Sequence, residues 1–279
     1  MMYKLGPYEK WEEFNLFNEL SDRAFAYFNQ KFNQKQDDLD TPFLHLFYRF
    51  KYIAESTSAS ARMINSWTFG APASVLLRSR FEQLIVCSYL IYEDENIGLK
   101  QYIKHGPIND YRLLKKASQD CQLKENLESF VDVDRSFERA LFSQKEINPD
   151  FELGSKFQPK WSKLNLGAMS HKRDILAKIK SKMYENLEHD YLTIYTMLNS
   201  FVHSDFSSVN DTYLKLFEYK GKMVVTVDPY WVGMIMLCCA RYDIIQCFEI
   251  LDYLGIDDDS FYSNLIKEWE EKKVIMDKS

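Results

Sequence analysis

From Tyr8 to Gln36 the chain runs without a glycine or a proline, and Trp11, Phe14, Phe17, Leu20, Phe25, Phe28 and Phe32 recur at near-helical spacing. A stretch of that length with a 3.6-residue apolar period is one long amphipathic helix, and it commits the chain to packing helix on helix. The rest of the sequence agrees. Nine Gly and seven Pro among 279 residues are too few for a turn-rich all-β protein or for a glycine-rich phosphate loop. Thr41-Pro42 opens a second helix to about Phe69, and Gly70-Ala71-Pro72 breaks it and starts a third that runs to about Tyr92. Helical text resumes near Asn96, halts at Gly106-Pro107, and returns through Leu114 and from Lys124 to Gln144. Residues 148–166 carry two Pro and one Gly with isolated aromatics and read as a long loop.

Helices are expected again at His171–Leu187 and about Glu188–Ser204. Tyr213–Tyr219 and Lys222–Val227 are β-prone runs joined by Lys220-Gly221, a short hairpin signal. Asp228-Pro229 caps a helix to Leu254 that is apolar on nearly every face, and Asp257-Asp258-Asp259-Ser260 opens the last one. The expected fold is all-α: a single multi-helix bundle over residues 1–279, with N-terminal helices over 8–92, a histidine-bearing helix over 187–204, one β-hairpin inserted at 213–227, and C-terminal helices over 229–275.

The N-terminus has no apolar core of a secretory signal, and the longest uncharged, mostly apolar run, Pro229–Ala240, is well short of the roughly 20 residues a bilayer requires. No membrane partner is expected. Cys87, Cys238, Cys239 and Cys247 lie in apolar helical text and read as reduced core thiols, which points to the cytoplasm. The net charge of −6 argues against a surface coated for nucleic acid, but the charge is uneven. Lys156–Lys182 holds eight Lys/Arg and one acid, whereas Glu249–Glu271 holds eight acids and one base. The basic segment can be a solvated face, can meet phosphate, or can dock on the acidic segment of the same or another subunit.

Two helices carry residues that chemistry could use. On the third, Leu77, Phe81, Leu84, Ile85, Ser88, Ile91 and Tyr92 form a wide apolar arc, with Ser79, Arg80 and Gln83 marking the expected wet face. Arg78 and Glu82 fall at the margin of the arc, where an i, i+4 pair is expected to be largely shielded from water. Such a pair either fixes helix register or holds a guanidinium ready for an anionic ligand. On the helix ending near Ser204, Thr193, Thr196, Asn199, Ser200 and His203 make a polar face without a full charge, which suits a cleft wall or a polar helix–helix seam. His203 there is either an acid/base or phosphate ligand, or a helix-terminal imidazole bonded to a carbonyl. His45, His105, His171 and His189 have no ligand-spaced partner, and His105 reads as a loop residue. With no Glu-x-x-His pair, Walker A loop, dinucleotide fingerprint or Gly-x-Ser-x-Gly elbow, neither a metal nor a cofactor is expected.

The segments Ala73–Tyr89 (ASVLLRSRFEQLIVCSY) and Tyr195–Ser204 (YTMLNSFVHS) together resemble a bacterial helical family of unknown function, with a Leu-Leu-Arg-x-x-x-Glu helix and a late Val-His-Ser helix. That family is similar to the HEPN superfamily, helical proteins of toxin–antitoxin and phage-defence systems. The resemblance implies a HEPN-like bundle and a metal-independent endoribonuclease site made of Arg78, Glu82, Asn199 and His203. The histidine would move protons at a 2′-hydroxyl and the arginine would stabilise the phosphate. The nuclease signature has an Arg five to seven residues before the His, where this chain has Leu198, Met197 and Thr196.

Two functions are therefore expected in competition. One is a cytoplasmic RNA-targeting effector of an antiviral defence or toxin–antitoxin type system, with Lys156, Lys160, Lys163, Lys172 and Arg173 tracking the RNA backbone. The other is a non-enzymatic interaction or regulatory module that joins a protein partner or forms a homodimer, with the same Arg-Glu-His residues in a buried polar network.

Overall fold

The computed structural model describes residues 11–35, 43–66, 70–93, 96–103, 105, 125, 152–153, 156–157, 161–181, 185–203, 214–219, 222–227, 229–256 and 259–277. The chain forms two compact units, Met1–Tyr92 with Leu166–Ser279, and Glu93–Asn165, where one domain over 1–279 is expected from the sequence.

The larger unit is helix packed on helix. It comprises α1 (Trp11–Lys35), α2 (Leu44–Ser66), α3 (Gly70–Tyr92), α4 (Leu166–Lys180), α5 (Leu187–Asp190), α6 (Thr196–His203), α7 (Pro229–Tyr253) and α8 (Asp259–Asp277). Helix α7 is apolar all round because it is surrounded: α1, α2, α3 and α8 pack against it. Its Ile235, Met236, Cys239, Ile245 and Phe248 are buried, as are Phe17, Leu20 and Phe28 of α1, Phe47 of α2, and Leu77, Phe81 and Leu84 of α3, the helices packed against it. Ala24, Ala54, Ala61 and Ala73 lie in the same core, small enough to let the helix backbones approach closely. The helix stops at Gly255, whose φ of 68° permits a left-handed cap. There the Ile256 amide donates to the Leu251 carbonyl at 2.8 Å and the Gly255 amide to that of Asp252 at 3.0 Å.

Helix α3 corrects the expected wet face. Arg80 is completely buried: its Nε donates to Asp243 Oδ1 at 2.9 Å and its Nη2 to the Tyr242 carbonyl at 2.8 Å. Asp243 Oδ2 also accepts from Ser21 of α1 at 2.9 Å and from Ser58 of α2 at 2.6 Å. One carboxylate thus ties four helices together. Because α3 packs against α2, α4, α6 and α7, most of its residues are shielded from water.

The hairpin expected at residues 213–227 as a part of the bundle is not built into the helical packing, its two strands pairing chiefly with each other. Leu214–Tyr219 (β3) and Lys222–Val227 (β4) are traced as an antiparallel pair, Leu214 opposite Val227 and Tyr219 opposite Lys222. In the smaller unit, residues 97–103 are helical with Leu99 buried, and Tyr102 meets Trp161 edge-on at 5.4 Å. His105, expected in a loop, is helical and buried. Glu152–Leu153 (β1) pairs with Lys156–Phe157 (β2) inside the stretch expected to be a loop. The Thr41-Pro42 cap and the text from 106 to 124 and from 126 to 151 lie outside the described residues.

Candidate functional site

Between α5 and α6 the helix widens into a π-helical turn, Tyr191–Tyr195. Such turns interrupt the ordinary hydrogen-bond ladder and concentrate at functional sites. This one presents Tyr195 to α3. Arg78 Nη2 donates to the Tyr195 hydroxyl at 3.2 Å, and that hydroxyl donates to Glu82 Oε1 at 2.8 Å. The same Glu82 oxygen lies 3.1 Å from Arg78 Nη2, closing a triangle. The Arg78 guanidinium sits 5.3 Å from the Tyr195 ring centroid, and the ring stacks on Tyr191 at 5.1 Å. Burial, only partly offset by the Arg78 hydrogen bond, pushes the Tyr195 phenol above its ordinary range, so it keeps the proton it donates to Glu82. Burial works against the Arg78 charge, yet Tyr195 and Glu82 outweigh it and hold the guanidinium more firmly protonated than usual.

The pair is less shielded than its place at the margin of the apolar arc implies. The Arg78 side chain is 21% exposed and that of Glu82 40%. Two polar atoms of the cluster's neighbourhood are nonetheless buried and make no hydrogen bond: Arg78 Nε and Asn199 Oδ1. Asn199 lies on α6, one helical turn beyond Tyr195, and α6 packs on α3. His203 closes α6 four residues after Asn199, and its side chain lies outside the described residues. Arg78, Glu82 and Asn199 are thus carried by two contacting helices. Tyr195 joins them, although periodicity alone assigns it to an apolar face.

The basic segment divides between the two units. Lys156 falls in β2, Lys160 lies outside the described residues, and Lys163 is exposed. Lys172 is exposed on α4, with Nζ 3.3 Å from the Tyr89 hydroxyl. Arg173 is overturned as a phosphate contact, because it is fully buried. Its guanidinium bonds Ser88 at 2.6 Å, Asp174 at 2.7 Å, the Glu185 carbonyl and the Glu249 carboxylate. Glu249 belongs to the acidic segment, so at this residue the basic segment does dock on the acidic one of the same chain. Asp174 also accepts from the Glu188 amide at 2.7 Å, which ties α4 to the start of α5.

A further charged node escapes the sequence pattern. Arg241 of α7 binds Asp190 and Glu185, and its guanidinium lies 5.5 Å from the Trp269 ring centroid. The signal for it is the presence of Arg241, Asp243 and Glu249 inside the most apolar helix of the chain, where each charge demands a partner. Among the described residues no cluster of three His, Cys, Asp or Glu side chains is arranged to hold a metal ion, and no helix is long and apolar enough to cross a membrane.

The fold and this site define an all-helical protein with a half-buried Arg–Tyr–Glu cluster on two contacting helices. The chain belongs to DUF5677, a family of unknown function whose model matches residues 40–222. The match takes in Arg78, Glu82, Tyr195, Asn199 and His203, and ends before α7. No curated protein and no solved structure matches the chain.

Proposed function

We propose that this chain is a HEPN-like helical protein of a bacterial defence or toxin–antitoxin type system, acting on RNA in the cytoplasm without a metal. One observation carries the reading. Arg78 is held in place by Glu82 and Tyr195 but is neither fully buried nor fully satisfied, and the facing helix offers Asn199 with a buried, unpaired Oδ1. The Asp243 network is closed to water, and although Arg80 Nη1 within it also goes unpaired, the partial exposure of the Arg78 guanidinium is what sets this cluster apart from it. In the proposed site Arg78 supports the phosphate, Glu82 and Tyr195 aim the guanidinium, and Asn199 contacts the nucleotide. His203 moves the proton of the attacking 2′-hydroxyl. Lys172, exposed on α4 of the same unit, supplies a backbone contact.

The second reading, a non-enzymatic interaction module with a protein partner or a second copy, is favoured by one feature. Glu82 already neutralises Arg78, and no arginine stands at positions 196–198. Expression in bacteria separates the two. The RNA reading expects growth arrest with loss of intact RNA, abolished by His203→Ala in a protein that still folds. Unaffected growth and intact RNA with the wild-type chain favour the module.

A further inference from the structure

The stretch from Glu185 through Ile194, together with α7 and α8, walls a cavity of about 490 Å³. That volume is in the range of small-molecule sites. None of Arg78, Glu82, Tyr195, Asn199 or His203 lines it, so a ligand bound here is independent of the RNA reading. Arg241 stands in its wall with every nitrogen engaged: Nη1 on Asp190 Oδ2, and Nε and Nη2 on Glu185 Oε2 at 3.2 and 2.7 Å. Trp269 is fixed beside it, its Nε1 donating to the Leu237 carbonyl at 2.8 Å. Ile194 and Leu237 add apolar wall, and the π-helical turn contributes Thr193 and Ile194.

The charges lining the cavity do not balance. Glu185, Asp190 and Glu270 face Arg241 and Lys273, which leaves one negative charge in excess when histidine is counted as neutral. Asp190, almost wholly buried, is bonded to Arg241 but shares that one guanidinium with Glu185, and incompletely compensated charge in such surroundings is costly. Burial, opposed by Arg241, also raises the Asp190 carboxyl above its ordinary range. A bound cation relieves the same imbalance, and the apolar wall with Trp269 accommodates an organic body attached to it. We infer that this cavity is a binding site for a small organic cation, an ammonium carried on an apolar or aromatic frame, held by Glu185 and Asp190 and packed against Trp269, Ile194 and Leu237.

Calorimetric titration of the full chain with tryptamine and with indole-3-acetate tests this, since the two probes share a ring and differ in charge. Tryptamine is expected to bind saturably and the acetate at least about tenfold more weakly. Glu185→Gln should weaken tryptamine by about tenfold or more. Because Glu185 also holds Arg241, a second variant guards against misfolding: Thr193→Trp, at an exposed position on the cavity wall, should block tryptamine while leaving the thermal unfolding curve in place. Equal affinity for both probes, no binding of tryptamine, or binding untouched by Thr193→Trp would overturn the inference.

Discussion

Asp243 and Glu82 show how differently two carboxylates on neighbouring helices are employed. Asp243 is fully buried and accepts from Ser21, Ser58 and Arg80. Replacing it with Ala strands the Arg80 guanidinium in the core and should cost about 3–5 kcal/mol in chemical denaturation, whereas the double change Arg80→Met with Asp243→Leu should cost markedly less. Glu82 is 40% exposed, so Glu82→Ala should cost only about 0.5–1 kcal/mol. Equal losses at the two positions would contradict this division. The sequence pattern locates Arg78 and Glu82 correctly as neighbours on one face, because a helical i, i+4 relation is local. It places Arg80 in water, since the partner that buries it lies 163 residues away and periodicity carries no information about such a contact.

At the scale of elements, the π-helical turn is the part that periodicity could not supply. A count at 100° per residue through Tyr191–Tyr195 assigns Tyr195 to an apolar face, whereas the widened turn sets its hydroxyl between Arg78 and Glu82. The turn is braced from α4. A Cβ added at Gly167 would come within 2.7 Å of the Tyr191 ring, which in turn stacks on Tyr195. Gly167→Ala should therefore lower stability by about 1 kcal/mol, the gain of about 1 kcal/mol in helix propensity being outweighed by overpacking of about 1–3 kcal/mol. Stability equal to or above wild type would show that Tyr191 yields freely. Helix ends are more legible. Gly70-Ala71-Pro72 marks the start of α3 and Pro229 that of α7, because Gly and Pro act on the backbone directly.

Across the whole molecule, charge is stored inside. Burial, opposed by Arg241 and Arg173 respectively, holds the Asp190 and Glu249 carboxyls above their ordinary range. A raised carboxyl binds more protons folded than unfolded, so its contribution to stability is full below the unfolded value and is lost as pH rises through the folded one. The melting temperature of the wild type, measured against Glu249→Gln, should therefore gain as pH falls from about 7 towards the ordinary carboxylate range. A difference that shrinks on acidification would give the wrong sign. All-helical architecture is legible from the scarcity of Gly and Pro and from unbroken apolar periods, both properties of the chain at every scale. The separate unit at Glu93–Asn165 is not legible in this way, since the helical text that stops at about Tyr92 resumes near Asn96 with only a short polar break between. If Arg78 and His203 act together on RNA as proposed, the purified chain cuts a single-stranded RNA under single-turnover conditions in the presence of a chelator. Cleavage by the wild type is expected, abolished by His203→Ala and poorly rescued by Arg78→Lys, because lysine lacks the planar fork that Glu82 and Tyr195 orient. Uncut RNA with the folded wild-type chain, with or without added divalent metal, would contradict the proposal.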